Sequence, residues 1–538
     1  MFKNHPKGLI AAALSNMGER FGYYIMNAVL LLFLCSKFGL DEGTAGVIYS
    51  VFYAAIYVLS LVGGLIADHK QNYKGTIQWG LIVMAMGYVL IAIPIVATQS
   101  NHSWLLAFTC LALALIAFGN GLFKGNLQAI VGQMYDNLET EAAKKGPEEL
   151  RIAKSKRDSG FQIFYVFINI GGLIAPFVAP LLRQWWLGVK GMVYNASLPA
   201  LCHQYINNPD GMNAQNLTNL TDLMNQVNAG GLDVSNLGAA CGSYLEVFNT
   251  GVHYSFFASV AAMFISLIIF LATKSKFPTP GKKSSAERQS YTPEEAKEMA
   301  KEIKQRMVAL FAVLGVCIFF WFSFHQNGQS LSVYARDYVN TTKVAPEIWQ
   351  AVNPFFVIVL TPIIMLIFGG LAKRGKEIST PKKIVIGMFI TACAYIFLTV
   401  LSAVKGLPGG EIFRSLPVAD QDAMKSEWWV LIVTYFFLTV AELFISPLGL
   451  SFVSKIAPKN LQGICQGLWL SATACGNLLI WIGPVMLNKM PKLWMCWAVF
   501  MVVCLLAMGV MWGMVSWLER IINQPAHEAA KTAQAQKA

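Results

Sequence analysis

Long apolar runs alternate with short polar connections from Gly8 to Leu518. The runs reach 20 residues or more, enough to cross a hydrocarbon core of about 30 Å as a helix. Twelve spans are predicted, near 8–36, 44–67, 76–97, 103–134, 158–184, 252–273, 307–333, 347–373, 382–404, 427–457, 460–487 and 491–519. Barrel strands would be about half as long and would alternate in polarity. Glu19 and Arg20 interrupt the first run, so it does not read as the core of a cleaved signal peptide. The expected architecture is an all-α membrane protein of two six-helix bundles, the layout of many secondary transporters. Residues 1–184 with 252–273 form the first bundle and 307–520 the second. Residues 185–251 make an extracytoplasmic loop or small subdomain, 274–306 a cytoplasmic linker and 521–538 a cytoplasmic tail.

Local signals refine this plan. Thr292-Pro293-Glu294-Glu295 reads as N-cap, N1 proline and capping-box glutamate, so a helix is expected to run from there into the seventh span. The second span ends Gly63-Gly64-Leu65-Ile66-Ala67-Asp68 and the eighth ends Gly369-Gly370-Leu371-Ala372-Lys373-Arg374, an echo that suits a duplicated bundle.

Composition agrees: 55% hydrophobic, 13% charged and a mean hydropathy of +0.51 place the chain among membrane proteins. The net charge of +12 is explained by orientation better than by nucleic acid. The termini and the alternate connections that share their side hold 29 of the 41 basic residues, the other side holds 10, and Arg20 and Lys124 lie inside spans. That asymmetry predicts both termini in the cytoplasm. Most of the ten cysteines sit in apolar spans, with no CxxC or zinc-like spacing and no metal expected. Cys202 and Cys241 both fall in the external loop, where a disulfide between them is expected if the membrane is the plasma membrane. Five Asn-x-Ser/Thr sequons, at Asn101, Asn195, Asn216, Asn219 and Asn340, fall on the same side.

Ionisable groups deep in a membrane cost several kcal/mol unless paired or hydrated, so each is a functional candidate. In the first span Asn16, Glu19, Arg20, Tyr23, Tyr24 and Asn27 recur at spacings of three and four, along one face. That face lines water and ligand, or else Glu19 and Arg20 merely neutralise each other. The fourth span sets Lys124 among Gly119, Gly121 and Gly125. In the tenth, Glu442 is the one acid in a long apolar run, followed by Ser446-Pro447. A cavity between the bundles would then have Arg20 and Lys124 on one wall and Glu442 on the other, a dipole that matches a zwitterion. Asn169 and Asn353 are candidates for the ammonium or backbone of such a ligand, or for interhelical bonding. Tyr57, Trp321 and Trp469 line side-chain pockets or simply pack.

The run Asn16-Met17-Gly18-Glu19-Arg20-Phe21-Gly22-Tyr23-Tyr24 resembles the ExxERFxYY signature of the proton-coupled oligopeptide transporter family, a branch of the major facilitator superfamily. The resemblance continues through Tyr57, Asp68, Lys124, Asn126, the segment Phe164–Leu173, Asn353-Pro354 and Glu442–Pro447, and so covers nearly all the spans in order. It implies a carrier of di- and tripeptides, functional as a monomer, with the proton as coupling ion and no other cofactor. Some members take nitrate or other small anions. Arg20 and Lys124 would face the peptide carboxylate, and Asn169, Asn353 and Glu442 its amino end. Glu19, Arg20, Lys124, His325 and Glu442 would couple or gate.

The chain departs from the family at Asn16, where a glutamate is usual, at Asn27, where an arginine is common, and at His325, where an acid is common. His325 is the titratable group left at these sites, and its unperturbed pKa of about 6.5 suits a switch. A neutral, satisfied histidine is the alternative. Two further spans found between the halves of many bacterial relatives are absent.

An enzyme is disfavoured, for neither HExxH nor GxSxG occurs. The run from Gly370 to Lys376 imitates a P-loop, but Glu377 replaces the required Ser/Thr. Peptide import across the plasma (inner) membrane is the expectation, with a small-zwitterion, nitrate or organic-acid carrier, or uncoupled peptide transport, as the alternative.

Overall fold

The computed structural model describes residues 5–278, 293–340, 344–374, 376, 378–456 and 462–523. The capping residue Thr292, Gly375 and Glu377 of the P-loop-like run, and the tail beyond 523 lie outside the described residues. In the first half the helices are α1 (Leu9–Phe38), α2 (Glu42–Lys70), α3 (Tyr73–Ala92), α4 (His102–Ala143), α5 (Pro147–Val189), the short α6 (Leu198–Asn207) and α7 (Ala214–Val227), and α8 (Leu237–Thr273). The second half holds α9 (Pro293–Phe324), α10 (Ser330–Asp337), α11 (Val352–Lys373), α12 (Thr380–Val404), α13 (Gly410–Arg414), α14 (Val418–Met424), α15 (Trp429–Ile456), α16 (Gln462–Leu479), α17 (Ile482–Lys489) and α18 (Leu493–Asn523). Twelve segments are long and apolar enough to cross a membrane. The β pairing among the described residues is confined to isolated bridges.

Three helices run past the expected spans. α5 starts at Pro147 rather than near 158, α8 at Leu237 rather than near 252, and α4 continues to Ala143. Hydropathy marks the apolar slab, whereas helix ends follow caps. α5 opens with Pro147 and then Glu148 and Glu149 in its first turn, which suit a helix N-terminus. α8 is capped by Asn236, whose side chain accepts from the Ala239 N–H at 3.1 Å. Within 185–251, α7 is capped the same way by Asn213, which accepts from the Asn216 N–H at 2.7 Å. α1 and α2 join through a tight turn: Gly39 adopts a left-handed φ of 65° and Asp41 accepts from the N–H groups of Gly43 and Thr44.

The helices sort into two bundles. α1 packs on α5 and α8, and α4 on α2 and α3; in the second half α12 packs on α15 and α18, and α9 on α16 and α18. The bundles meet along α2 against α16 and α5 against α11. Outward positions are apolar, for example Leu366 at 76% and Val404 at 81% exposure, as expected where lipid replaces water. Serines and glycines bring the helices together. Ser15 and Ser266 bond across α1 and α8 at 3.0 Å. A Cβ on Gly119 would come within 2.6 Å of the Gly80 carbonyl, and one on Gly63 would collide with the Gly121 carbonyl. Gly63 thus packs α2 on α4, the helix that carries Lys124.

Two crossings of the second half are broken. The seventh passes from α9 through a 3-10 turn, His325–Gly328, into α10, and the eleventh breaks between α16 and α17. Backbone groups freed inside a membrane protein must be satisfied by protein. Gln326 Nε2 donates to the Ile480 carbonyl at 3.1 Å, and the Trp481 N–H donates to Ser50 Oγ of the other half at 3.1 Å. The P-loop-like run follows helix α11, not a strand.

Gly63→Val is expected to displace α2 from α4 at a cost above the ~1–3 kcal/mol typical of overpacking, since backbone must move. Gly64→Ala meets nothing within 4 Å and is the control. Fluorescence-detected size exclusion reads the result: a lost monodisperse peak for the first and an unchanged one for the second.

Candidate functional site

A cavity of about 340 Å³ lies between the bundles. Its first-half wall carries Arg20, Tyr23, Tyr24 and Asn27 from α1, Tyr53 and Tyr57 from α2, Lys124 and Gln128 from α4, and Tyr165 and Asn169 from α5. Its second-half wall carries Trp321 and His325, Asn353, Glu442 and Trp469. All ten expected substrate-binding residues therefore converge on one space.

Charges on the two walls are left unneutralised by each other. Among the described residues no carboxylate pairs with Lys124, whose Nζ stands 4.5 Å from the Tyr57 ring centroid. Among the described residues no cation pairs with Glu442 either; Asn353 Nδ2 donates to its Oε2 at 2.9 Å and to Thr439 Oγ1 at 3.0 Å. Asn353 thus orients Glu442 and keeps its own carbonyl oxygen free. Asn169 Nδ2 is bonded to the Tyr165 carbonyl at 2.9 Å, which also leaves an amide oxygen for a ligand. Arg20 is held differently. Its Nε and Nη2 donate to Glu19 at 2.5 and 2.6 Å, and its guanidinium lies 4.5 Å from the Tyr23 centroid.

Glu19 and Asn16 do not line the cavity, although they share the helical spacing of Arg20 and Asn27. Both are buried within the first bundle, and Glu19 accepts a further bond from Asn120 at 2.5 Å. A stripe at spacings of three and four is wider than the opening it faces, so its edge turns inward. His325 donates through Nδ1–H to Asn477 Oδ1 at 2.5 Å. Its ring stacks on Trp321 at 5.0 Å and meets Tyr53 edge-on at 4.9 Å. Residues missed in the sequence include Tyr53, Gln128, Gln350 and Tyr435. The repeat Tyr49, Tyr53, Tyr57 at intervals of four was the readable signal for the first of these.

Among the described residues, bonds between the halves gather at the end of the cavity that carries α6 and α7. Nearest the cavity they are neutral: Asn27 Nδ2 donates to Gln350 at 3.2 Å, and Gln329 Nε2 donates to Ser50 Oγ at 3.1 Å. Farther out they are ionic. Arg183 of α5 forms a bidentate pair with Glu347 at 2.7 and 3.2 Å, both buried. Arg336 and Arg414 converge on Glu42 and Asp337 at 2.7 to 3.1 Å.

A larger cavity, about 600 Å³, opens between the end of α1, the α3–α4 connection, α6 and α8. Its polar groups are occupied in holding the end of α1: His203 and His102 donate to the carbonyls of Ser36 and Phe38, and Lys37 donates to His253 at 2.7 Å. It lies within one bundle and is not the site between the halves. Cys202 and Cys241 carry free thiols, both buried, on α6 and α8, which pack together.

A family profile described as PTR2, POT family, matches residues 74–293 and 286–495. Dipeptide and tripeptide permease B of Xenorhabdus bovienii is 27% identical over 547 residues, covering 97% of each chain. The permease of the same name from Salmonella typhimurium is 25% identical over 546 residues, again with 97% of each covered. Among solved structures, the peptide transporter POT in complex with sulfate superposes with a TM-score of 0.68 at 21% identity over 97% of this chain and 96% of its own. A POT family transporter in complex with 5-aminolevulinic acid gives 0.66 at 18% identity over 97% and 98%. The fold is that of the major facilitator superfamily, twelve membrane-spanning segments in two bundles of six.

Removing one member of the Arg183–Glu347 pair strands a buried charge, which costs about 3–5 kcal/mol. Glu347→Gln is therefore expected to lower the thermal unfolding midpoint sharply, and Arg183→Met with Glu347→Leu to recover most of the loss. Equal loss in the single and double variants would show that the pair contributes through packing alone.

Proposed function

The chain belongs to the POT family of membrane transporters, and from that premise we propose that it imports di- and tripeptides, alternating access to the central cavity by rocking its two bundles, with protons as the driving ion. The observation that carries the substrate class is the uncompensated Lys124 on one wall and Glu442 on the other. A short peptide supplies a carboxylate for Arg20 and Lys124 and an ammonium for Glu442, with the free amide oxygens of Asn353 and Asn169 beside it. Tyr23, Tyr24, Tyr57, Trp321 and Trp469 take its side chains. A volume near 340 Å³ falls in the range of small-ligand pockets. The names of the similar permeases support the same class.

The α6–α7 end faces outward in this reading, and both termini lie in the cytoplasm of a cell whose plasma membrane holds the protein. The absence of Lys and Arg between Lys190 and Lys274, against the basic linker on the other side, supports it. One chain supplies both walls, which supports a monomer as the working unit.

Proton coupling rests on fewer groups than in relatives that keep the usual charges. The Asn27–Gln350 bond is neutral and closes without a proton, so coupling falls to Glu442 and His325, with Arg20 on the wall and Glu19 behind it. The neutral link at Asn27 favours altered or absent coupling as the second reading. A nitrate or organic-acid carrier is disfavoured by Glu442, since an anion beside an unpaired carboxylate is repelled.

Purified protein in proteoliposomes is expected to accumulate labelled dipeptide, and faster with an acid-outside gradient than without. Lys124→Ala and Glu442→Gln are each expected to reduce uptake by about two orders of magnitude, the scale of losing a charge-assisted contact of about 3 kcal/mol. Undiminished uptake in either variant refutes the assignment of the walls. For His325→Asn, the pH profile of uptake is expected to flatten on its acid side; superimposable profiles assign the proton elsewhere.

A further inference from the structure

Two of the ten cysteines differ from the rest in place and company. Eight lie in the membrane-spanning helices, whereas Cys202 belongs to α6 and Cys241 to the first turns of α8, beyond the expected apolar span. Both side chains are fully buried, and α6, which carries the first, packs along α8, which carries the second, so the two thiols are neighbours. A thiol is a weak donor and a weak acceptor, so a reduced pair adds little to holding two helices together. The insertion needs such a hold. α6 has 10 residues and α7 has 14, and helices this short are marginal without packing. The segment between Lys190 and Lys274 carries no basic residue, as expected of a translocated loop, and translocated loops of this kind meet an oxidising compartment.

We propose that Cys202 and Cys241 form a disulfide that staples α6 to α8 and makes the α6–α7 hairpin a rigid part of the first bundle. Two thiols lose two protons and two electrons, and one S–S bond forms. The electrons pass by thiol–disulfide exchange to a disulfide-bearing oxidoreductase of that compartment, which is left as a dithiol. The bond closes a loop of about 40 residues, and the constraint on the unfolded chain grows with that length.

The hairpin also reaches the second bundle. Asn219, 2% exposed on α7, donates through Nδ2 to the Leu416 carbonyl at 2.8 Å. That bond occupies the nitrogen a sequon would need for glycosylation. A cavity of about 180 Å³ separates α6 and α7 from Glu411, Arg414 and Val418. The interface between hairpin and second bundle is therefore loose, while that between hairpin and α8 is tight. When the halves part at this end, the stapled hairpin moves with α8, and the Asn219–Leu416 bond is the contact that yields. This assignment does not depend on which solute is carried.

The test uses full-length protein from the membrane, denatured in excess N-ethylmaleimide without reductant and cleaved at methionine. Met212 and Met224 lie between the two cysteines, so fragments 193–212 and 225–263 are expected to travel as one mass that separates on reduction. Each fragment carrying its own maleimide overturns the bond. Ser235→Cys, at an exposed position between α7 and α8, reports the side in parallel through an impermeant maleimide applied to intact cells. Labelling there together with free Cys202 and Cys241 refutes the disulfide itself; protection there with free thiols refutes the orientation beneath it. Cys202→Ser, Cys241→Ser and the double variant are expected to lower the thermal midpoint by the same amount, whereas additive losses contradict a shared bond.

Discussion

Lys124 and Glu442 face one cavity without meeting, and the cost of that separation organises the site. A charge at the centre of a bilayer costs about 2.5–3.5 kcal/mol on insertion scales, which direct pairing would relieve. Here each charge is instead propped by a neutral neighbour, Lys124 by the face of Tyr57 and Glu442 by the amide of Asn353. Both props orient a charge without cancelling it. The space between them must hold water or a molecule with a charge at each end. Arg20 shows the opposite solution: Glu19 takes its Nε and Nη2, so it reaches the cavity nearly neutralised, as a hydrogen-bond donor more than a free charge. Of the two cations on the first wall, Lys124 is therefore the less neutralised.

The broken crossings follow from the same constraint. A helix that stops inside the apolar slab exposes backbone groups, and these have to be met by something polar nearby. Gln326 and Ser50 do this for the break between α16 and α17, and Ser50 comes from the opposite bundle. Closing this end thus satisfies a backbone N–H that opening would release to water. Breaks and closure are one structural element, with His325 set in the turn of the seventh crossing beside the cavity.

Much of this was readable in advance because membrane burial makes polarity expensive and therefore informative. Twelve apolar runs became twelve crossings, and Glu19, Arg20, Lys124 and Glu442 stood out because charges so deep in a span are few. What was not readable has two causes. Asn16 and Glu19 obey the same spacing as Arg20, and only the packing of α4, through Asn120, decides that they face inward. Arg183 and Glu347 lie 164 positions apart, at ends of spans where a charge looks like an ordinary interfacial residue, so no local pattern joins them. Helix extents differ at α5 and α8 for a related reason: the added turns are polar, those of α8 pack on α6, and hydropathy is blind to them.

The placement of ionic and neutral bonds bears on how firmly the two halves are held together at this end, and so on the alternation proposed for them. A buried arginine–glutamate pair gains little net stability, because desolvation consumes most of the attraction, but it strongly penalises a misaligned partner. Arg183–Glu347 and the cluster around Glu42 therefore fix where the halves meet without making the meeting deep. The neutral layer beneath them, Asn27 with Gln350 and Gln329 with Ser50, adds bonds worth about 0.5–1.5 kcal/mol each. A closure built this way is specific yet shallow, and a shallow closure is what a carrier needs if occupancy of a small polar cavity is to tip it from one side to the other.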